Sequence, residues 1–266
     1  PAGIRACLGR RMALIRPDRS VVDPRFLLYY YLSPDFQQII DQHTIHGATV
    51  NRISLSTMGA WPVRIPEFSE QCAIAEVLGS LDDKIVANIK LATTAKNLAE
   101  AYFLDTMRGA RHEAVLGDDI SLEYGKSLPA TKRRTGAVDV FGSGGISGTH
   151  DEALCDQPGV IVGRKGTAGA VHWSRRPFFP IDTTFYVVPR AAGVSQIFSY
   201  FLLRTLRLDE MNNDSAVPGL NRNEAHSSKI RVPSDERLVA FSNTATGLFD
   251  LVASTEDENE SLAATR

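Results

Sequence analysis

Val50-Asn51-Arg52-Ile53-Ser54, running on to Val63-Arg64-Ile65-Pro66, has a counterpart in Val217-Pro218-Gly219-Leu220-Asn221, running on to Ile230-Arg231-Val232-Pro233. The two stretches stand 167 residues apart throughout (217 less 50, 233 less 66). Upstream, Phe26-Leu27-Leu28 matches Phe201-Leu202-Leu203, with eight residues more between. Downstream, Ser69-Glu70-Gln71 sits like Asp235-Glu236-Arg237, and Leu81 and Ile85 match Leu248 and Val252. Solenoid units run only about 20–50 residues. This period is that of a whole domain followed by a helix. The second copy is nearly whole, and the first is without its front half. The chain opens on Pro1-Ala2-Gly3 and stops at Leu262-Ala263-Ala264-Thr265-Arg266 inside a helical pattern, so both ends read as cut. Its 266 residues are then one and a half copies of one unit.

The segment after Pro66 runs without proline to Arg108, with Ser69 as its expected N-cap and Gly109 as its stop. Ile74, Leu78, Leu81, Ile85, Asn88, Ala92, Ala95, Ala99 and Tyr102 follow one another in steps of four and three, the heptad spacing of a coiled coil. A helix of about 40 residues is about 60 Å long, more than one small domain can cover. The second copy offers a partner in Leu238, Phe241, Ala245, Leu248 and Val252. The spacing predicts an antiparallel pair, joined through Ile74, Leu78, Leu81, Ile85, Leu248 and Val252. Its small Ala92-Ala95-Ala99 stretch lets the helices approach closely, and Asn88 fixes their register.

Residues 111–233 have another texture, of short apolar runs broken by Gly, Ser and Pro turns. Strands are expected at 120–124, 137–141, 160–162, 170–173 and 183–188, and a helix from Val194 to Leu208. Residues 11–66 show the last third of the same pattern, with a strand at Ala13-Leu14-Ile15 and a helix at Phe26–Leu32. The expected class is α+β: mixed, β-rich domains joined by long antiparallel coiled-coil helices. The division is 1–66 for the end of a first domain, 67–110 for the central helix, 111–233 for a second domain and 234–266 for a distal helix.

No apolar run approaches the roughly 18–20 residues that cross a bilayer, so no membrane partner is expected. Cys7, Cys72 and Cys155 form no metal-binding or disulfide pattern, and a reducing, cytoplasmic setting is the default. His43 and His46 lack companions for a metal site. Gly125-Lys126-Ser127 has Ile120 where a phosphate-binding loop needs glycine, and Gly163, Gly166 and Gly169 are misspaced for a dinucleotide loop. Phe141-Gly142-Ser143-Gly144 lacks the tetrad that a methyltransferase needs to hold its target amino group. Asp82-Asp83-Lys84 lies on the helix as a solvated face. No catalytic residue, metal or cofactor is expected.

The net charge of −2, from 29 Lys+Arg and 31 Asp+Glu, is an average. Residues 124–190 hold nine basic and five acidic side chains, and residues 1–34 six and two. Residues 235–266 hold two and seven. The basic groups sit in turns: Lys132-Arg133-Arg134, Arg164-Lys165 and Arg175-Arg176. Lys132, Arg133, Arg134, Lys165 and Arg175 are candidates for phosphate contacts. Ser143, Arg164, Thr167, Asn221 and Arg222 are candidates for base edges.

These features resemble the specificity subunits of type I restriction–modification enzymes. The resemblance rests on Leu116-Gly117-Asp118, Tyr124-Gly125-Lys126, Phe141-Gly142-Ser143-Gly144-Gly145-Ile146, Val160-Ile161-Val162-Gly163-Arg164-Lys165-Gly166 and the closing segment from Asn221 to Pro233. Glu70-Gln71 and Asp83-Lys84-Ile85 on the first helix are similar to the family's central conserved region. The resemblance implies two target-recognition domains, each reading half of a split site in double-stranded DNA. It also implies helices that set the spacing and dock methyltransferase subunits, with restriction–translocase subunits joining that core. A part-length subunit of this kind could pair with a second copy. The rival reading is a non-catalytic coiled-coil adaptor or binding module not directed at DNA.

Overall fold

The computed structural model describes residues 9, 12–47, 49–211 and 219–265. Pro1-Ala2-Gly3, Cys7, Val217-Pro218 and Arg266, all named above, lie outside them. The chain divides into two compact units, Pro1–Asn88 with Asn259–Arg266, and Ile89–Glu258. The class is α+β.

In the first unit, α1 (Pro24–Leu32) and α2 (Pro34–Gln42) each open on a proline, whose fixed φ and missing N–H suit the first helical position. The Asp23 carboxylate accepts from the N–H groups of Arg25 and Phe26, both at 2.9 Å, and so caps α1. Next come the short antiparallel pair β1 (Thr44–Ile45) and β2 (Arg52–Ile53), the single turn α3 (Leu55–Met58) and the long α4 (Phe68–Arg108), whose residues from Ile89 on belong to the second unit. Val22, Phe26 and Ala75 form a small core, with Leu27, Tyr30 and Ile74 packed against it. Buried Gln71 stitches α4 to the chain before it. Its amide donates to the carbonyls of Val21 and Pro66, and its oxygen accepts from the N–H of Asp23. Asp82 accepts from the Tyr29 hydroxyl at 2.8 Å and so helps to hold α1 on α4, whereas Asp83, 3.9 Å from Arg25, forms an exposed ion pair with it.

Two local expectations are corrected here. Ala13-Leu14-Ile15 is not a strand: the stretch is irregular, and Leu14 and Ile15 are exposed, because no strand among the described residues runs beside it. Ser69 is not the N-cap either. The helix starts at Phe68, and the Glu67 carbonyl accepts the N–H groups of Glu70 and Gln71.

The second unit holds β3 (His112–Val115), the turn α5 (Leu116–Asp119), β4 (Ile120–Tyr124), β5 (Val138–Gly142), β6 (Gly145–His150), β7 (Gly159–Gly163), β8 (Val171–Ser174), β9 (Phe178–Pro180), β10 (Thr184–Pro189), α6 (Gln196–Thr205), α7 (Arg222–His226), β11 (Lys229–Val232) and α8 (Asp235–Thr265), whose last residues belong to the first unit. A four-stranded antiparallel sheet has the order β4-β10-β7-β8. A three-stranded sheet, β6-β5-β9, joins β9 to β5 in parallel. A third ladder, β11-β3, pairs the first and last strands of this domain. All five residues of β7 are buried, which its unbroken apolar text (Gly-Val-Ile-Val-Gly) reflects. Phe103 of α4 meets Phe198 and Phe201 of α6 and Phe241 of α8, with ring centroids 5.5–6.0 Å from its own. The core is centred there.

The helices α4 and α8 run antiparallel. In the second unit Ala92 and Ala95 pack on Val252 and Leu248, Lys96 pairs with Glu256, and Arg237 donates to the Asp105 carbonyl. In the first unit the amide of buried Asn88 donates to the Asn259 side chain at 3.0 Å. Ile74, Leu78, Leu81, Ile85 and Leu248 are half-buried, whereas Ala92, Ala95, Ala99 and Val252 are buried.

The repeat is visible in the elements. α3 and α7 start at 55 and 222, and α4 and α8 at 68 and 235, both pairs 167 apart (222 less 55, 235 less 68). Its two copies differ in cover. Ile230 and Val232 lie in β11 beside β3 and are 5% and 6% exposed, whereas their counterparts Val63 and Ile65 are each 41% exposed, with no strand among the described residues alongside.

Candidate nucleic-acid interface

The register of the four-stranded sheet gathers three strand ends. Phe185 pairs with Tyr124 and Thr184 with Gly163, so β4 and β7 finish where β10 begins. The residues that follow β7, Arg164 and Lys165, therefore emerge beside Tyr124. The Arg164 guanidinium lies 4.8 Å from the centre of the Tyr124 ring and 6.0 Å from that of Phe185. The Arg222 guanidinium also lies 4.8 Å from the Tyr124 ring. Arg222 arrives from α7, whose preceding strand-like residues are tied in by the Leu220 N–H donating to the Arg164 carbonyl at 2.9 Å and by a bridge between Lys165 and Gly219.

Glycine makes this turn possible at two points. A Cβ on Gly163 would stand 2.1 Å from the Thr167 carbonyl, because the loop folds back on the strand end. Gly166 has φ +81° with nothing within 4 Å of where a Cβ would be, which leaves its backbone open to a close approach. Lys165 and Thr167 flank it and are exposed. Beneath, the hydroxyl of buried Ser143 faces the carbonyls of Lys165 and Thr183, sharing its one proton between them, and His172 bonds the Ser143 carbonyl at 2.9 Å.

Three of the expected DNA contacts have partners within the protein. Ser143 holds the loop rather than facing outward. Arg134 pairs with Asp151 at 2.6 Å and Glu152 at 2.9 Å; the hydrogen bond to Asp151 raises the guanidinium pKa, and the same contact lowers that of Asp151. Arg175 pairs with Glu256 at 3.1 Å and with Asp257, which also holds Arg176. The hydrogen bonds from both arginines keep the Asp257 carboxyl below the usual carboxylate range. The pairing of Gly159 with Ser174 puts these two arginines at the opposite end of the sheet from Arg164. Their partners are the acids of α8 that make the last segment of the chain so negative.

Of the others, Lys132 sits on an exposed turn, and Arg133 donates to the Ser147 carbonyl at 2.7 Å. Asn221 caps α7 by accepting from the N–H groups of Asn223 and Glu224. Arg164, Lys165, Thr167, Asn221 and Arg222 are thus gathered around one end of the sheet, and Lys132 and Arg133 belong to the turn before β5. Tyr124 was not among the expected residues. An aromatic side chain at a strand end, next to Gly125-Lys126, was its only trace in the sequence. Gly125 itself is packed against the carbonyls of Pro180 and Ile181, so the Gly-Lys-Ser triplet is a close backbone crossing. Among the described residues no three His, Cys, Asp or Glu side chains gather as metal ligands, and no helix is long and apolar enough to cross a membrane.

No protein-family model matches the chain. The specificity subunit of the type I restriction enzyme EcoprrI from Escherichia coli is 26% identical over 141 residues, 51% of this chain and 34% of that protein. The chain thus matches about a third of the length of this curated relative. The crystal structure of the type I restriction–modification S subunit from M. genitalium superposes with a TM-score of 0.66 at 21% identity, covering 93% of this chain and 71% of that one. The chain has the S-subunit fold. Within this S-subunit fold, the basic end of the four-stranded sheet belongs to the second copy of the repeat, and the long helices are the elements that both copies share.

Proposed function

We propose that the chain is a non-catalytic specificity subunit of a type I restriction–modification complex. In this reading the 111–233 domain recognises a half-site of a bipartite target in double-stranded DNA. The observation that carries it is the convergence of Arg164 and Arg222, from two separate segments, on Tyr124 at one sheet end, with Lys165 next to Arg164. Cations held there suit phosphates and base edges. Arg164, Thr167, Asn221 and Arg222 face the bases, while Lys132, Arg133 and Lys165 meet phosphates. The helix pair sets the spacing of the half-sites and docks methyltransferase subunits. Methyl transfer belongs to those subunits, and cleavage to restriction–translocase subunits. The setting is the cytoplasm, where such a complex meets DNA.

An electrophoretic shift on duplex DNA, with and without the methyltransferase subunit of the same host, tests the reading. Binding is expected to weaken steeply as salt rises, and the Arg164→Glu, Lys165→Glu pair is expected to abolish specific binding. Specific binding that survives this reversal places the DNA face elsewhere. Partner binding that ignores salt, with no DNA shift, supports the adaptor reading.

A further inference from the structure

Tyr124 has a particular place in this cluster. Its ring is backed by Phe185, which is fully buried, with ring centroids 5.0 Å apart, while Tyr124 itself is 47% exposed. Two guanidinium groups lie at the same 4.8 Å from its centre, so they are at most twice that distance from each other. Two cations so close repel, and the electron-rich ring offsets part of that repulsion. Arg164 is further restrained. Its Nη1 donates to the Asp182 carbonyl at 3.0 Å, its N–H donates to Thr183 at 2.8 Å, and its carbonyl accepts from Leu220. A planar guanidinium held in one orientation suits paired hydrogen bonds to a base edge, whereas a phosphate needs only a nearby positive charge. Lys165, exposed and beside them, fits the second task.

We propose that Tyr124 is a positioning residue for sequence reading: it holds Arg164 and Arg222 ready for the base edges of the half-site, and it contributes little to general DNA affinity. The inference rests on the DNA reading above and deepens it. Without the ring, both arginines still carry their charge but lose the face that sets their orientation, and Arg164 keeps only its bond to the Asp182 carbonyl as a side-chain restraint. Discrimination between bases is lost before attraction to the backbone is.

The test uses the full chain, alone and with the methyltransferase subunit, to select duplexes from a random-sequence pool, followed by sequencing and titration of the preferred duplex and of an unselected one. Tyr124→Leu keeps an apolar side chain on Phe185 and removes the aromatic face; Tyr124→Phe keeps the face and removes the hydroxyl. The wild-type chain and Tyr124→Phe are expected to enrich the same motif. Tyr124→Leu is expected to flatten that motif at one or two adjacent base pairs and to weaken binding to the preferred duplex about ten- to hundredfold, with affinity for the unselected duplex changed less than about twofold. A Tyr124→Leu chain that keeps the full motif, or that loses affinity equally for both duplexes, overturns the proposal. A wild-type chain that enriches no motif overturns the DNA reading itself, and this inference with it.

Discussion

His226 shows how a single side chain couples pH to the fold. Its Nε2 accepts the Leu122 N–H at 3.0 Å, so the ring must be neutral with its proton on Nδ1. Burial, and then Arg222 and Arg190 nearby, push its pKa below the ordinary histidine value. As pH falls through about 6.5 the unfolded chain takes up a proton here and the folded chain does not. The stability tied to the neutral ring is therefore complete above that pH and is lost as pH falls toward the depressed folded value. Urea midpoints measured at about pH 7.5 and about pH 5.5 are expected to drop further for the wild type than for His226→Gln, whose amide oxygen can accept the same N–H without titrating; equal drops would show that the ring is not the group responsible. Phe103 makes a purely apolar counterpart. It is 1% exposed and touches three other phenyl rings, so Phe103→Ala is expected to cost about 3–5 kcal/mol in denaturant unfolding.

At the level of elements, the helices and the apolar strands were open to reading. The heptad steps of α4 and α8 and the apolar runs of β4, β7 and β10 repeat with the periods that burial imposes. What escaped was structure whose cause lies far away in the chain. β6 is not among the strands expected from the sequence, and its Gly145 and Gly148 have φ of 109° and 144°; it is a strand because β5 runs alongside, with a bulge after Val140. Arg175 reads as a free loop cation until α8 brings Glu256 and Asp257 to it. Side-chain partners 80 residues away leave no periodic trace, and so the site was less legible than the fold. The amide pair between Asn88 and Asn259 carries a prediction at this scale. Asn88→Ala takes from the half-buried Asn259 side-chain oxygen the donor that meets it, while the Asn259 amide nitrogen keeps the Ile85 carbonyl, and is expected to cost about 1–3 kcal/mol. Replacing both with Leu is expected to recover that loss, and a double-mutant cycle by thermal unfolding separates the two cases.

For the molecule as a whole, the apolar core is divided unequally. The large cluster around Phe103, Phe198 and Phe241 belongs to the second unit, and the first unit has the small group of Val22, Phe26 and Ala75. Opening free energy follows buried apolar contact. Amide hydrogen exchange is expected to be faster in α1 and α2 than in β4, β7 and β10 under native conditions, and equal protection would contradict the division. Charge is divided as well, and that is what the overall −2 conceals. One part of the basic charge is spent on the acids of α8, and another part is gathered at the sheet end around Tyr124. If the second part meets DNA, removing Lys165 is expected to reduce the slope of log affinity against log salt by about 0.9, a change that gel-shift titrations at several salt concentrations resolve.

The ladder of β3 with β11 sets His112 opposite Val232. The chain thus enters and leaves the whole β-rich domain through one doorway, between the end of one long helix and the start of the other. The described residues between Leu116 and Ser228 form a cassette that starts and ends at that doorway and packs on both helices. A cassette with other loops, of another length, fits the same pair of helices as long as its first and last strands keep this register and it keeps an apolar face, like that of Phe198 and Phe201, for Phe103 and Phe241.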